Sequence, residues 1–345
     1  MLVLCFAFAG IPAGILSDKI DRVKLLLSIF LALGILSSAI IFTSGFRSVL
    51  TLLAFLFFSV GLFRPSVYPY LSKRYSERKG KRFGLFETGG NTGKLTAPLV
   101  AGVIGSWLGW RCVYLLWGTF AFAVAFILYR FSFPNTLLDD RRNKSKEKQK
   151  RNRDSPSKHP YPCFKTVYVT SGFFGFIAGG SKTFIPLFLT DEQSVSVSVA
   201  GAMLTLFLAG GLVGGVIGGR LSDAWGPKTV LEMSFIATCL LMLLVPFTAG
   251  PLLIATLVCA GVTLYIALPA LSFLIGEAKT AGLGLAFGIQ SLSIGALGAL
   301  SRVFLGIIGD LLGISYIFFF LSAVGFIASA FVYFYIGASS TTKEY

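Results

Sequence analysis

Gly14-Ile-Leu-Ser-Asp18-Lys-Ile-Asp-Arg22-Val-Lys24 returns about 205 residues later as Gly219-Arg-Leu-Ser-Asp223-Ala-Trp-Gly226-Pro-Lys228. Each copy is a short charged turn between two long apolar runs. A polar turn repeated at this distance in an apolar chain implies two homologous helical bundles joined end to end. A second internal match keeps nearly the same register. Phe83-Gly84-Leu85 leading to Gly102-Val-Ile-Gly105-Ser-Trp-Leu-Gly109 recurs as Phe287-Gly288-Ile289 leading to Gly306-Ile-Ile-Gly309-Asp-Leu-Leu-Gly313, at a constant offset of 204 with no gap. A duplicated bundle of this kind is the architecture of alternating-access transporters.

Of the 345 residues, 55% are hydrophobic, and the mean hydropathy is +0.79. A soluble domain could not hide so much apolar surface, so the class is integral membrane and all-α. The net charge of +15 is not a nucleic-acid footprint. The basic residues gather in short loops, Lys73 to Arg82 and then Arg141 to Lys158, and no aromatic residue is interleaved through the basic core of the second. That distribution sets membrane topology and places both segments, and both motif turns, on the cytoplasmic side. Asp191-Glu192-Gln193 then falls outside. The five cysteines form no CxxC pair and the single histidine, His159, lies in the basic stretch. Neither a disulfide framework nor a metal site is implied.

Apolar segments long enough to span a bilayer run over 1–16, 24–44, 48–71, 83–106, 111–133, 164–190, 197–219, 229–248, 251–276, 281–309 and 313–336. Two helices lead to the second motif from the middle of the chain, but only one short helix precedes the first. Symmetry therefore implies eleven visible helices of a set of twelve, with the first absent. The expected organisation is an N-terminal bundle over 1–133, a basic cytoplasmic linker over 134–163, a C-terminal bundle over 164–336 and a cytoplasmic tail over 337–345. The linker is expected to be disordered or loosely helical against the anionic inner leaflet.

Five charges lie within apolar spans: Arg64, Glu87, Lys94, Lys182 and Arg302. Each costs about 2.5–3.5 kcal/mol on insertion scales, so such groups face a cavity or a partner. The alternative for each is a structural ion pair or a snorkelling end residue. Glu87 and Lys94, seven apart, share a helix face, and Glu87 could instead pair with Lys81 or Arg82. Arg64, Asn91, Lys94 and Arg302 form the expected substrate-binding set, and their basic character suits an anionic solute. Replacing Arg64 or Arg302 by Leu is expected to remove binding without harming the fold. Glu87 is the acid placed to couple protons. Asp18 and Asp223, at helix–loop junctions, can accept hydrogen bonds from a neighbouring helix N-terminus and latch the bundles together. A plain topology-setting turn is the alternative. The stripes Gly210, Gly214, Gly218 and Gly211, Gly215, Gly219 mark close helix packing. The run Gly89-Gly90-Asn91-Thr92-Gly93 suggests a loosened helix lining a cavity, and Pro98, Pro186 and Pro269 suggest kinks. No nucleotide loop or catalytic constellation is present, so the chain reads as no enzyme, without cofactor.

The Gly-x-Leu-Ser-Asp turn followed by basic residues, present in both halves, resembles the signature of the major facilitator superfamily. Phe63-Arg64-Pro65 and Leu85-Phe86-Glu87-Thr-Gly-Gly90-Asn91-Thr-Gly93 resemble fosmidomycin-resistance-type efflux proteins, although Arg64 stands where that pattern commonly has His. The resemblance implies the major facilitator fold of two pseudo-symmetric six-helix bundles around a substrate cavity. It also implies a gating role for Asp18, Arg22, Asp223 and Lys228. Asp21 replaces the family's usual Gly, and Ala224 and Pro227 replace basic residues, so the first latch is expected to be the stronger. The expected function is proton-coupled efflux of a small organic solute by a monomer in the plasma membrane. An anion uptake carrier or exchanger and a non-transporting membrane protein are the alternatives. The expected partners are the solute, protons and lipids, with no nucleic acid.

Overall fold

The computed structural model describes residues 5–336 except 7, 21, 75–77, 151–163 and 278–281; side chains of 22, 73–74, 98–99, 102–103 and 131–150 are likewise not described. Eleven α-helices stand among the described residues. The first five are α1 (Gly10–Lys19), α2 (Arg22–Ala39), α3 (Phe46–Arg74), α4 (Lys79–Leu108) and α5 (Trp110–Lys150). The others are α6 (Phe164–Asp191), α7 (Val197–Trp225), α8 (Pro227–Leu244), α9 (Gly250–Glu277), α10 (Leu283–Leu312) and α11 (Ile314–Phe331). Nine are long and apolar enough to cross a membrane. The other two are α1, whose described length is 10 residues, and α4. Lys79, Lys81, Arg82, Glu87 and Lys94 make α4 too polar to count among the nine.

Helix α5 runs on past its apolar span into the basic segment as far as Lys150. The remainder of the linker, His159 and the tail lie outside the described residues. Helix α4 runs through Gly89–Gly93 as one helix of 30 residues. Pro186 and Pro269 do sit inside α6 and α9, and α3 carries Pro65 and Pro69 internally. Three reversals, α4 to α5, α7 to α8 and α10 to α11, each turn on one residue with positive φ: Gly109 (86°), Gly226 (83°) and Gly313 (107°). A side chain at these positions would be strained.

Glycine lets the helices approach backbone to backbone where the fold needs it. In the second half, Gly210, Gly214 and Gly218 of α7 face Val262 and Ile266 of α9, and Gly175 and Gly179 of α6 face Ile294 and Gly298 of α10. In the first half, Gly34 of α2 lies against the Phe122 ring of α5, and Ser37 Oγ donates to Tyr114 O at 2.6 Å. The other α7 stripe faces the opposite bundle. Gly215 and Gly219 meet Gly84 and Gly80 of α4, while Gly10 and Gly14 of α1 meet Gly288 and Gly284 of α10. The two stripes on α7 therefore serve different purposes, one building a bundle and one joining two.

The joining contacts are confined to the motif end. Along α4, Gly80, Gly84, Thr88 and Asn91 touch α7 in turn, whereas the following Thr92, Gly93, Lys94 and Thr96 are exposed. At the centre of the closed end, Phe83 and its repeat mate Phe287 both stack around Tyr68, with ring centroids 5.3 and 4.9 Å away. The bundles are thus in contact on the motif side and diverge beyond it.

This geometry separates two kinds of glycine. Gly219→Ala would drive a methyl into the Gly80 carbonyl across the bundles, so it is expected to open the motif end while the bundles stay folded. Cross-linking between Ser72→Cys and Gly276→Cys, whose parents share a 2.6 Å hydrogen bond, should then fall sharply. Gly214→Ala, which overpacks within one bundle, should instead lower thermal stability by about 1–3 kcal/mol.

Candidate functional site

Two carboxylates close the motif end. Asp18, at the end of α1, accepts from the backbone N–H groups of Gly284 and Leu285 at 3.0 and 3.1 Å. Asp223, on α7, accepts from those of Gly80 and Lys81, both at 2.8 Å. The receiving groups are the first turns of α10 and α4, where N–H groups lack intrahelical partners and the dipole favours an anion. Each half supplies the carboxylate for the other half's helix. A third link, Lys79 Nζ to Glu277 Oε1 at 3.0 Å, ties α4 to α9 without a charged repeat mate, because Leu283 occupies the position matching Lys79.

Deeper in the cleft, α3 and α4 bring Arg64, Tyr68 and Glu87 together. The guanidinium ion-pairs with the buried Glu87 carboxylate, and the Tyr68 hydroxyl donates to the same oxygen. Arg64 also donates to Tyr68 at 2.8 Å and lies 5.2 Å from its ring centroid. One turn further along α4, Asn91 Nδ2 donates to Gly211 O across the bundle interface at 3.0 Å, and Lys94 Nζ donates to Asn91 Oδ1 at 3.0 Å. From the other bundle, Lys182 lies over the Tyr265 ring at 5.5 Å, and Arg302 Nε donates to Thr183 Oγ1 at 3.2 Å. Lys182 is close enough to act on the charge of Lys94, and Arg302 on that of Lys182, while Arg64 and Glu87 act on both. The Tyr265 hydroxyl and Gln290 Nε2 are buried without a hydrogen-bond partner.

The four expected binding residues are therefore not equivalent. Asn91 and Lys94 form one hydrogen-bonded unit, Arg302 belongs to the opposite bundle, and Arg64 is occupied by Glu87. That ion pair joins α3 to α4. It also revises the expected effect of Arg64→Leu, which would strand a buried carboxylate. Of the expected gating residues, Asp18 and Asp223 bridge the bundles. Lys228 does not join them: it pairs with Glu232 in its own helix at 3.3 Å and lies 5.4 Å from the Tyr333 ring centroid. The side chain of Arg22 lies outside the described residues. Sequence reasoning noted Lys182 but left it out of the binding set, and passed over Tyr68 and Tyr265. The spacing of Tyr68 four residues after Arg64 was the available signal. Nothing local in the sequence marks Tyr265. A groove of about 380 Å³ between α8 and α11, lined by Glu232, Ile236, Phe326 and Tyr333, shares no residue with this constellation.

A family model described as Major Facilitator Superfamily matches residues 1–181 and again residues 167–344. The uncharacterized MFS-type transporter YfnC of Bacillus subtilis (strain 168) is 26% identical over 278 residues, covering 78% of this chain and 67% of its own length. The multi-drug resistance efflux pump PmrA of Streptococcus pneumoniae is 24% identical over 243 residues, covering 69% of this chain and 59% of its own. The chain thus spans about two thirds or less of these relatives. The crystal structure of the human organic anion transporter MFSD10 superposes with a TM-score of 0.78 at 14% identity, covering 96% of this chain and 81% of that one. At that identity the likeness speaks to the fold.

The two carboxylate caps make the same number of bonds, so the expectation that Asp18 contributes more is replaced by one of similar contributions. Asp18→Asn and Asp223→Asn should each weaken the closed motif end by about 1 kcal/mol, roughly a fivefold shift in population. Spin-label distances across that end would measure it. Arg64→Leu should cost about 3–5 kcal/mol of stability through the orphaned Glu87, and Arg64→Leu combined with Glu87→Leu should recover most of it.

Proposed function

Since the chain belongs to the Major Facilitator Superfamily, we propose that it is a secondary active transporter that exports a small organic solute against proton entry. The observation that carries this reading is the pair of exchanged carboxylate caps. They form a device with two discrete arrangements, made or broken, at one mouth of a polar cleft between two bundles. Breaking both caps lets the bundles rock and exposes the cleft to the motif side. That is alternating access in its simplest form. With the motif turns and the basic linker on the cytoplasmic side of the plasma membrane, the arrangement described here opens to the outside. The chain works as a monomer, because the cleft is built from its own two halves.

Glu87 is the proton-coupling group in this scheme. Protonation would cancel its ion pair with Arg64, and the freed guanidinium would re-orient within the cleft. The electrical part of the driving force is about 2.3 kcal/mol per charge per 100 mV. Efflux is supported by the described activity of PmrA. A second reading, an anion carrier or exchanger, is favoured by the cleft charges, four basic groups against the one acid Glu87.

Reconstitution separates these readings. Proteoliposomes with a labelled organic anion and an imposed pH gradient should show proton-dependent movement that Glu87→Gln abolishes. Counterflow that ignores the gradient would establish the exchanger and remove the proton-coupled reading. Neither activity, in a folded protein, would leave a non-transporting membrane protein.

A further inference from the structure

The charges of the cleft do not balance, and the imbalance has a location. Glu87 neutralises Arg64. Among the described residues no carboxylate is within ion-pair distance of Lys94, Lys182 or Arg302. Lys182 has an aromatic ring for a partner, Lys94 an amide oxygen and Arg302 a threonine hydroxyl. Beside them the Tyr265 hydroxyl, buried, donates to nothing. These groups are contiguous. Gly211 lies between Asn91 and Tyr265 so closely that a Cβ there would sit 3.1 Å from Asn91 Nδ2 and 3.0 Å from the Tyr265 ring. Lys94 hangs from Asn91 on one side and Lys182 covers Tyr265 on the other.

We propose that Lys94, Lys182 and the Tyr265 hydroxyl form the anion-binding core of the cleft, with Arg302 beside it, and that the ligand is an organic dianion. This rests on the reading of the cleft as the transport site and names its substrate class. Unpaired ammonium groups and an unpaired hydroxyl present only donors to a ligand of many acceptor oxygens. Three uncompensated cations in a partly desolvated site favour two negative charges over one. Arg64 is not part of this core, because its fork is already taken up by Glu87.

The core also senses the state of the protein. Asn91 aims Lys94 only while its amide is held by Gly211 O of the other bundle. When α4 leaves α7, that hold is lost and Lys94 is no longer presented opposite Lys182. The core is therefore made and unmade as the motif end closes and opens, so that bound anion and bundle position act on each other.

The test uses the purified full chain in detergent at constant ionic strength, with phenylphosphonate, benzoate and phenyltrimethylammonium as probes and melting temperature as the readout. Phenylphosphonate should stabilise the wild type, with benzoate needing about tenfold more and the cation giving nothing. Lys94→Gln and Lys182→Gln should each weaken the phosphonate effect about tenfold or more, Lys182→Arg should restore part of it, and Gly211→Ala should weaken it without removing any ligand group. Arg64→Gln combined with Glu87→Gln should keep the stabilisation. Loss in that double variant with retention in Lys182→Gln would overturn the proposal, as would equal benzoate and phosphonate effects, stabilisation by the cation, or none by any probe. Stabilisation without movement in proteoliposomes would leave this site standing and remove the transport reading. Movement of cations alone would do the reverse.

Discussion

An orphan helix N-terminus capped by a carboxylate from the opposite bundle is the interaction on which the arrangement depends. The first turn of any helix has N–H groups with no partner, and inside a membrane protein water cannot be relied on to satisfy them. Here α4 and α10 begin at the interface between bundles, and Asp223 and Asp18 supply what each lacks. The same two bonds satisfy the helix, complement its dipole and hold the bundles in contact. Because the cap comes from the other half, it cannot persist when the halves separate. Local helix stability and global conformation are thereby linked through four hydrogen bonds.

The backbone contacts around these caps are as short as glycine permits. Gly80 against Gly219 and Gly284 against Gly14 place the carboxylates within reach of the N–H groups they accept from. A surface of glycine and carbonyl is smooth and buries little side-chain area, which suits an interface that must part. Large buried side chains occur on both sides of that division: Phe235, Phe207, Phe188 and Phe318 lie inside the second bundle, while Tyr68, Phe83 and Phe287 are buried where the two bundles meet.

The repeat is faithful at the gate and broken in the cleft. Phe83 and Phe287 occupy matched positions and meet the same Tyr68 ring. One to three turns further, Glu87, Asn91 and Lys94 of α4 correspond to Ser291, Gly295 and Gly298 of α10. Symmetry is retained where both halves perform the same mechanical task. It is lost where chemistry is needed, because a solute that is not itself symmetric is best held by unlike groups from the two sides. Among the described residues, the polar α4 is the one long helix of the first half that fails the composition expected of a membrane span. Its polarity follows from facing the cleft and the other bundle instead of lipid.

The duplication, the helical membrane class and the approximate spans were legible in the sequence, because each follows from local pattern: apolar length, charged turns and a constant offset. That Asp18 and Asp223 sit at junctions able to cap a helix was legible too. Which helix each caps was not, since Gly284 lies 266 residues from Asp18 and no local rule links them. The same limit hid the Arg64–Glu87 pair, the separate faces of the two α7 glycine stripes and the meeting of Tyr265 with Lys182. Side-chain charge and spacing say that a group needs a partner. Only the packing of helices distant in sequence decides which partner it finds, and so whether a cation in the cleft is already neutralised or still free for a ligand.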